Sequence, residues 1–202
     1  MSATVAQAAQ ASVATGFVDT RQPPPQTWIT KPPIAELGAD AGAFCRNVQA
    51  EWTAITDGLP DSDAQKAHLR RSLNILATVR GGGQRQVYWL KGANGCAAVM
   101  EISGNNIEAL ATTGEYKNLG AIMVEYLLNL IGGAEPVVTL SAFYDEAMAA
   151  YGAMGFDRDS PQDRTMTLAP ADEPGKWERV GGKWRYKSTH AAVNNSACCT
   201  IM

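Results

Sequence analysis

Apolar residues recur along this chain in two periods, and the switches between them mark out the elements. Phe44, Val48, Trp52 and Ile55 fall at helical spacing, with Asp40 placed as an N-cap and Asp57-Gly58-Leu59-Pro60 as a stop. Ser62-Asp63-Ala64-Gln65 reads as the capping box of a second helix. Leu69, Leu73, Leu76 and Val79 form its core face, and Gly81-Gly82-Gly83 ends it. Gln86 to Lys91 and Cys96 to Ser103 read as strands joined by Gly92-Ala93-Asn94-Gly95, which contains an Asn-Gly hairpin signal. Ser103-Gly104-Asn105-Asn106 then turns into a strand in which Ile107, Leu110 and Thr112 suit a sheet core.

From Ile122 to Ile131 the residues are mostly apolar, with Glu125 and Asn129 four apart as one polar stripe. That pattern predicts a helix buried on most sides, closed by Gly132-Gly133. A strand near Val137 to Ala142, a helix from Asp145 to Met154 and a strand over Arg164 to Leu168 follow. Trp28-Ile29-Thr30 reads as a short first strand ended by Pro32-Pro33. The order β-α-α-β-β-β-α-β-α-β predicts an α/β fold, a mixed sheet with helices on both faces. Beyond it, Trp177 to Tyr186 reads as a hairpin around Gly181-Gly182, pairing Val180 with Lys183, Glu178 with Arg185 and Trp177 with Tyr186. This hairpin is expected to supply a last strand to the sheet.

Composition adds boundaries to this pattern. The chain has 202 residues, 46% of them hydrophobic, and a net charge of −3. That is enough for one domain with a core, plus tails, and gives no argument for nucleic acid as the main partner. No apolar run reaches the roughly 20 residues of a membrane-spanning helix, and the start of the chain lacks the basic and apolar regions of a secretory signal. The four cysteines, Cys45, Cys96, Cys198 and Cys199, fit neither a zinc site nor a disulfide framework. With two histidines, no metal site and no histidine triad is expected; His68 reads as a partly exposed neighbour of the second helix's core face. The expected organisation is a leader and Pro-rich linker over 1–27, a folded domain over 28–170, a basic hairpin over 171–188 and a tail over 189–202.

The turn between Thr112 and the buried helix is the place for chemistry. A strand that enters a helix through a glycine-containing turn aims the helix's first, unpartnered N–H groups at one spot, at the positive end of its dipole. Such a spot holds phosphate. Ile107-Glu108-Ala109-Leu110-Ala111-Thr112, followed by Gly114-Glu115-Tyr116-Lys117-Asn118-Leu119-Gly120-Ala121-Ile122, resembles the cofactor motif of the GNAT-type N-acetyltransferases. That family has I-E-x-L-x-V, then P-E-Y-R-G-x-G-x-G/A opening a helix. A second match follows in the right order. The family's A-x-x-x-Y-x-x-x-G-F is Ala147 to Phe156 here, AMAAYGAMGF. Lys117 stands where the family has Arg or Gln, and Ile122 where it has a small residue.

The resemblance implies a GNAT-like fold and transfer of an acetyl group from acetyl-CoA, as co-substrate, to an amine of a protein or small molecule. It implies that backbone groups of Leu110 and Thr112 hold the pantetheine arm. The amides of Lys117, Asn118, Leu119, Gly120, Ala121 and Ile122 would hold the pyrophosphate, with the Lys117 ammonium nearby. Glu108 would act as general base and Tyr151 as general acid. Asp145 and Glu146 would face a cationic acceptor. Two other readings stay open. Ile122, which crowds the pyrophosphate site, points to a GNAT-fold binding module without catalysis; a larger pocket near Met100 and Met123 points to a longer acyl donor.

The ends of the chain bear on place. Cys199-Thr200-Ile201-Met202 fits the C-a-a-X prenylation signal, with Met favouring farnesyl. Cys198 could take a palmitoyl group, and Lys176, Arg179, Lys183, Arg185 and Lys187 form a basic hairpin; either supplies the second signal that stable anchoring requires. The Ala-, Ser- and Thr-rich leader resembles the export signals of bacterial type III effectors. The expectation is an effector secreted into a eukaryotic cell and held at a host membrane through its prenylated end. The alternative is a cytoplasmic enzyme.

Overall fold

The computed structural model describes residues 34–38, 40–114, 116 and 118–189. Trp28-Ile29-Thr30 lies outside them, and the first described strand, β1 (Ile34–Leu37), begins just after Pro32-Pro33. Helices α1 (Ala41–Gly58) and α2 (Ala64–Leu76) follow. The buried face of α1 is Ala41, Cys45, Val48, Trp52 and Thr56. Phe44 and Ile55 sit at its margin. Trp52 is fully buried, and its indole N–H donates to the Cys96 carbonyl at 3.0 Å. Two cap assignments change. Asp40 makes no side-chain cap. For α2 the cap is Asp63 rather than Ser62, its Oδ1 accepting from the Gln65 N–H at 2.7 Å. Asp63 has the extended backbone that a cap requires, with φ −76° and ψ 124°.

Strands β2 (Arg85–Gly92), β3 (Gly95–Ser103) and β4 (Asn106–Thr112) form an antiparallel meander. Then come α3 (Leu119–Ile131), β5 (Val138–Ser141), α4 (Asp145–Met154) and β6 (Thr165–Leu168). The six strands run in the order β1-β2-β3-β4-β5-β6. Every neighbouring pair is antiparallel except β4 and β5. This is a mixed α/β fold with the predicted element order. One face packs on α1 and α2 through Trp52, Leu69, Leu76, Val99, Ala109 and Ala111. The other packs on α3 and α4 through Met100, Ile107, Met123, Leu127 and Met154.

The buried carboxylate of Glu101 ties the loop after α2 to the sheet. Its Oε1 accepts from the Arg80 and Gly81 amides at 2.9 and 2.7 Å, and Arg85 Nη1 lies 3.2 Å from Oε2. A buried charge needs partners of this kind, since an isolated one is strongly disfavoured in a low-dielectric interior.

The C-terminal hairpin, β7 (Trp177–Val180) and β8 (Lys183–Tyr186), keeps the predicted register. It forms its own two-stranded sheet, which corrects the expectation of a last strand. What holds it is the polar stripe of α3. The Asn129 amide donates to the Trp184 carbonyl at 2.9 Å and accepts from the Trp184 N–H at 2.8 Å. Glu125 Oε2 accepts from the Tyr186 N–H at 2.9 Å. A docked edge whose backbone groups are met by side chains does not have to join the sheet.

Candidate active site

The site arises from a register irregularity in β4. Ile102 pairs with Ile107, but its neighbour Glu101 pairs with Ala109, so Glu108 is an extra, bulged residue. A bulge bends its strand and increases twist. Strand β5 pairs only with Asn106 and Ile107, the residues before the bulge. Beyond it β4 and β5 part. Helices α2 and α4, on opposite faces of the sheet, approach one another through this opening, where Arg71 Nη1 lies 3.8 Å from Glu146 Oε1. A cavity of about 420 Å³ fills the opening.

The free edge of β4 lines one side. The Thr113 N–H donates to the Ala97 carbonyl on β3. Strand alternation therefore turns the backbone groups of Thr112 and Leu110 the other way, toward the gap that β5 leaves. Leu110 and Thr112 both line the cavity. At Thr112 the outward groups already have partners on α2. Its N–H donates to Ser72 Oγ at 3.4 Å, and its carbonyl oxygen is 3.0 Å from His68 Nε2. His68 Nε2 also lies 2.9 Å from Thr112 Oγ1, and the tautomer that carries its hydrogen on Nε2 is the one that lets both Thr112 oxygens accept.

The start of α3 lines the far end. Asn118 has φ +66°, a left-handed conformation that Asn tolerates, and Gly114 has φ +70°. Asn118, Leu119, Gly120 and Ala121 all border the cavity. The amides of Leu119, Gly120 and Ala121 are those of a first turn, which lack acceptors within the helix. Ile122 differs from its assignment twice. Its N–H donates to the Asn118 carbonyl at 2.9 Å, so that amide is already committed. Its side chain is buried in the α3–α4 core and does not border the cavity, so it crowds no ligand there. Lys117 lies outside the described residues, as do Cys198 and Cys199.

Tyr151 faces the cavity from α4, its ring 5.4 Å from that of Phe156 in an edge-on contact. Burial pushes its pKa up to about 12, so the phenol stays protonated across the working pH range. Glu108 is elsewhere. It does not border the cavity, accepts from the Asn106 amide at 3.0 Å and lies 3.8 Å from Arg85 Nη2. Asp145 lies 3.8 Å from Arg164 rather than facing the cavity. Met100 and Met123 are fully buried and do not border this cavity.

His68 and Ser72 are among the cavity residues that the sequence assigned to no site, with Arg71, Tyr144 and Tyr186. Burial holds the His68 pKa below its ordinary value, the Thr112 carbonyl opposes this and the nearby Arg71 charge adds to it. The ring is therefore neutral at pH 7. The available signal was spacing. Positions 68 and 72 are four apart beside the Leu69 face, the margin that reaches the strand edge.

Among the described residues no group of three or more His, Cys, Asp or Glu is arranged to hold a metal, and no helix is long and apolar enough to cross a membrane. Cys45 and Cys96 are buried free thiols, and burial raises Cys96 to about 12, well away from a reactive thiolate.

No family model matches the chain, and no curated protein matches it. Among solved structures it is similar to a GCN5-related N-acetyltransferase from Rhodopseudomonas palustris, at 17% identity over 68% of this chain and 95% of that one, with a TM-score of 0.45. It is similar to an N-acetyltransferase from Thermoplasma acidophilum in complex with coenzyme A, at 15% identity over 67% and 98%, with a TM-score of 0.37. A Campylobacter jejuni N-acetyltransferase is similar at 14% identity over 68% and 99%, again with a TM-score of 0.37. The chemistry of the site therefore rests on this chain's own residues.

Proposed function

We propose that this chain is an N-acetyltransferase that moves an acetyl group from acetyl-CoA to an amine. The observation that supports this most is the opening between β4 and β5, where a vacant strand edge leads into the first turn of α3. An extended diamide arm that ends in a pyrophosphate is complementary to both parts of that groove. The Leu110 backbone would pair with the arm, as a strand edge pairs with any extended chain. The amides of Leu119, Gly120 and Ala121 would receive the pyrophosphate. Bound acetyl-CoA supplies an acyl thioester that a neutral amine can attack. Tyr151 holds a proton at Oη for the departing sulfur. The amine gives its proton to water; Glu108, the base the motif implied, lies beside Arg85 outside the cavity and is not placed to receive it. The alternative of a module without catalysis loses the residue that motivated it, since Ile122 packs in the core.

The test is a thermal shift. A ligand at about 100 times its Kd adds about 2.7 kcal/mol to stability. For a domain of this size that is a rise in Tm of roughly 5–10 °C. Acetyl-CoA should give such a shift, and no shift at millimolar acetyl-CoA would overturn the reading.

The place of action is a separate proposal that rests on sequence pattern alone. Cys199 is prenylated after a bacterium secretes the chain into a eukaryotic cell, with Cys198 or the basic hairpin as the second anchoring signal. Within the hairpin, Lys176 is engaged by the Gly152 carbonyl and Glu173, and Lys187 by the Pro174 carbonyl. Arg179 Nε donates to the Gly182 carbonyl at 3.3 Å, which leaves Lys183 and Arg185 as the better candidates for anionic lipid. An N-terminal fluorescent fusion should be at membranes in eukaryotic cells, and Cys199→Ser should move it to the cytosol. Identical distributions, with no farnesyl mass on the parent, would remove the proposal and leave a cytoplasmic enzyme.

A further inference from the structure

We propose, resting on the acetyl-CoA reading above, that His68 and Ser72 form a latch. They hold α2 on the vacant edge of β4, and acyl-CoA binds by displacing them from Thr112. An open strand edge leaves backbone N–H and C=O groups that need partners. The outward N–H and C=O of Thr112 would pair with β5 if β5 continued beside them, but its pairing ends at Ile107. Partly buried backbone groups need partners. Here α2 supplies both, a hydroxyl oxygen for the N–H and an imidazole N–H for the carbonyl. Donor and acceptor are matched in the same sense as in an extended chain laid along the strand. The two side chains thus take the contacts that a pantetheine arm would make.

Two further contacts keep them there. The His68 ring is seated against Gly114, where a Cβ would come within 2.9 Å of its Cδ2. Gly114 is thus a seat that admits the ring and little else. One turn along α2, Arg71 reaches across the opening to Glu146 on α4, at 3.8 Å. An arm running from Leu110 to the first turn of α3 passes through this space. It cannot take the groups of Thr112 while the ring and hydroxyl are in place.

The consequence is an affinity below what the groove itself offers. When only a fraction of molecules is competent, apparent affinity falls by that fraction. Loss of either latch residue should tighten binding of free coenzyme A about tenfold, equivalent to about 1.4 kcal/mol. Calorimetric titration of coenzyme A into the full chain reads this directly, without turnover. Parent, Ser72→Ala, His68→Ala and His68→Gln are compared, each checked for folding by circular dichroism. Tighter binding by Ser72→Ala and His68→Ala supports the latch. Parent-like binding by His68→Gln, which keeps a donor, strengthens it. In ¹⁵N-histidine spectra of the parent, the Nε2–H signal of His68 should shift as coenzyme A is added. Equal or weaker binding by both alanine variants, with the parent binding well, overturns the latch and leaves the function standing. No binding by any of the four proteins overturns both.

Discussion

Tyr151→Phe should lower turnover by about 10²-fold or more while leaving coenzyme A affinity close to that of the parent. The substitution keeps the ring, and with it the edge-on contact to Phe156 at 5.4 Å. Only the hydroxyl is lost. A phenol at about 12 is a weak acid. A free thiol titrates near about 8.5, so full transfer to a solvated thiolate would be uphill by about 3.5 units, or roughly 4.8 kcal/mol. A thiolate leaving in the same buried space is also deprived of water, which raises its affinity for a proton and narrows the gap. If Tyr151 is the acid, the proton would be shared as the carbon–sulfur bond breaks, and partial transfer would be sufficient. The pH profile follows from the same shift. Below about pH 10 the phenol stays protonated, so no loss of rate on its account is expected as pH rises to that value. The measurement is release of coenzyme A thiol with a panel of amines and lysine peptides, together with calorimetric affinity. Unchanged turnover would make Tyr151 a packing residue.

The parts of this fold that the sequence made legible are those set by local chemistry. Gly132, Gly155 and the Gly181-Gly182 turn all take positive φ where the chain reverses or a helix stops. The apolar periods placed α1, α3 and α4 within a few residues, whereas α2 stops at Leu76, short of the Val79 and Gly81 expected at its end. What escaped depends on distant pairing. Nothing in Glu101 or Glu108 announces that one will be buried under Arg80 and Gly81 and the other bulged. Yet the bulge separates β4 from β5 and so makes the cavity. The polar stripe of Glu125 and Asn129 was visible, but its purpose was not, because its partners are backbone groups more than fifty residues away.

The candidate site was legible to the same degree. Motif residues Leu110, Thr112, Asn118, Leu119, Gly120, Ala121 and Tyr151 come together around one cavity. Glu108 does not join them, because the bulge sets it beside Arg85. Ile122 turns inward because a helix that starts at Leu119 places its fourth residue on the core side. His68 and Ser72 were hidden for the opposite reason. Their role is set by a strand edge left open by its neighbour, which no local window contains.

Gly120→Glu should abolish the acetyl-CoA shift while leaving the protein folded. Gly120 borders the cavity in the first turn of α3. A Cβ there meets Met154 Cε at 3.8 Å and Leu110 Cδ2 at 3.9 Å, ordinary contact distances. A side chain is therefore tolerated, and Gly120→Ala should fold at least as well as the parent, since Gly in a helix costs about 0.5–1 kcal/mol relative to Ala. The glutamate carboxylate gains a further advantage, because a negative charge at a helix N-terminus is worth about 0.3–1 kcal/mol. What stabilises the variant is also what blocks it. The carboxylate occupies the donors that a pyrophosphate needs. Two like charges about 4 Å apart at an effective dielectric constant near 20 repel by about 4 kcal/mol. That is a loss of nearly three orders of magnitude in affinity. The expected result is a Tm for Gly120→Glu at or above the parent's, with no rise on adding acetyl-CoA, while Gly120→Ala still responds. A parent-like shift in the glutamate variant would place the pyrophosphate away from α3 and remove the first turn from the site.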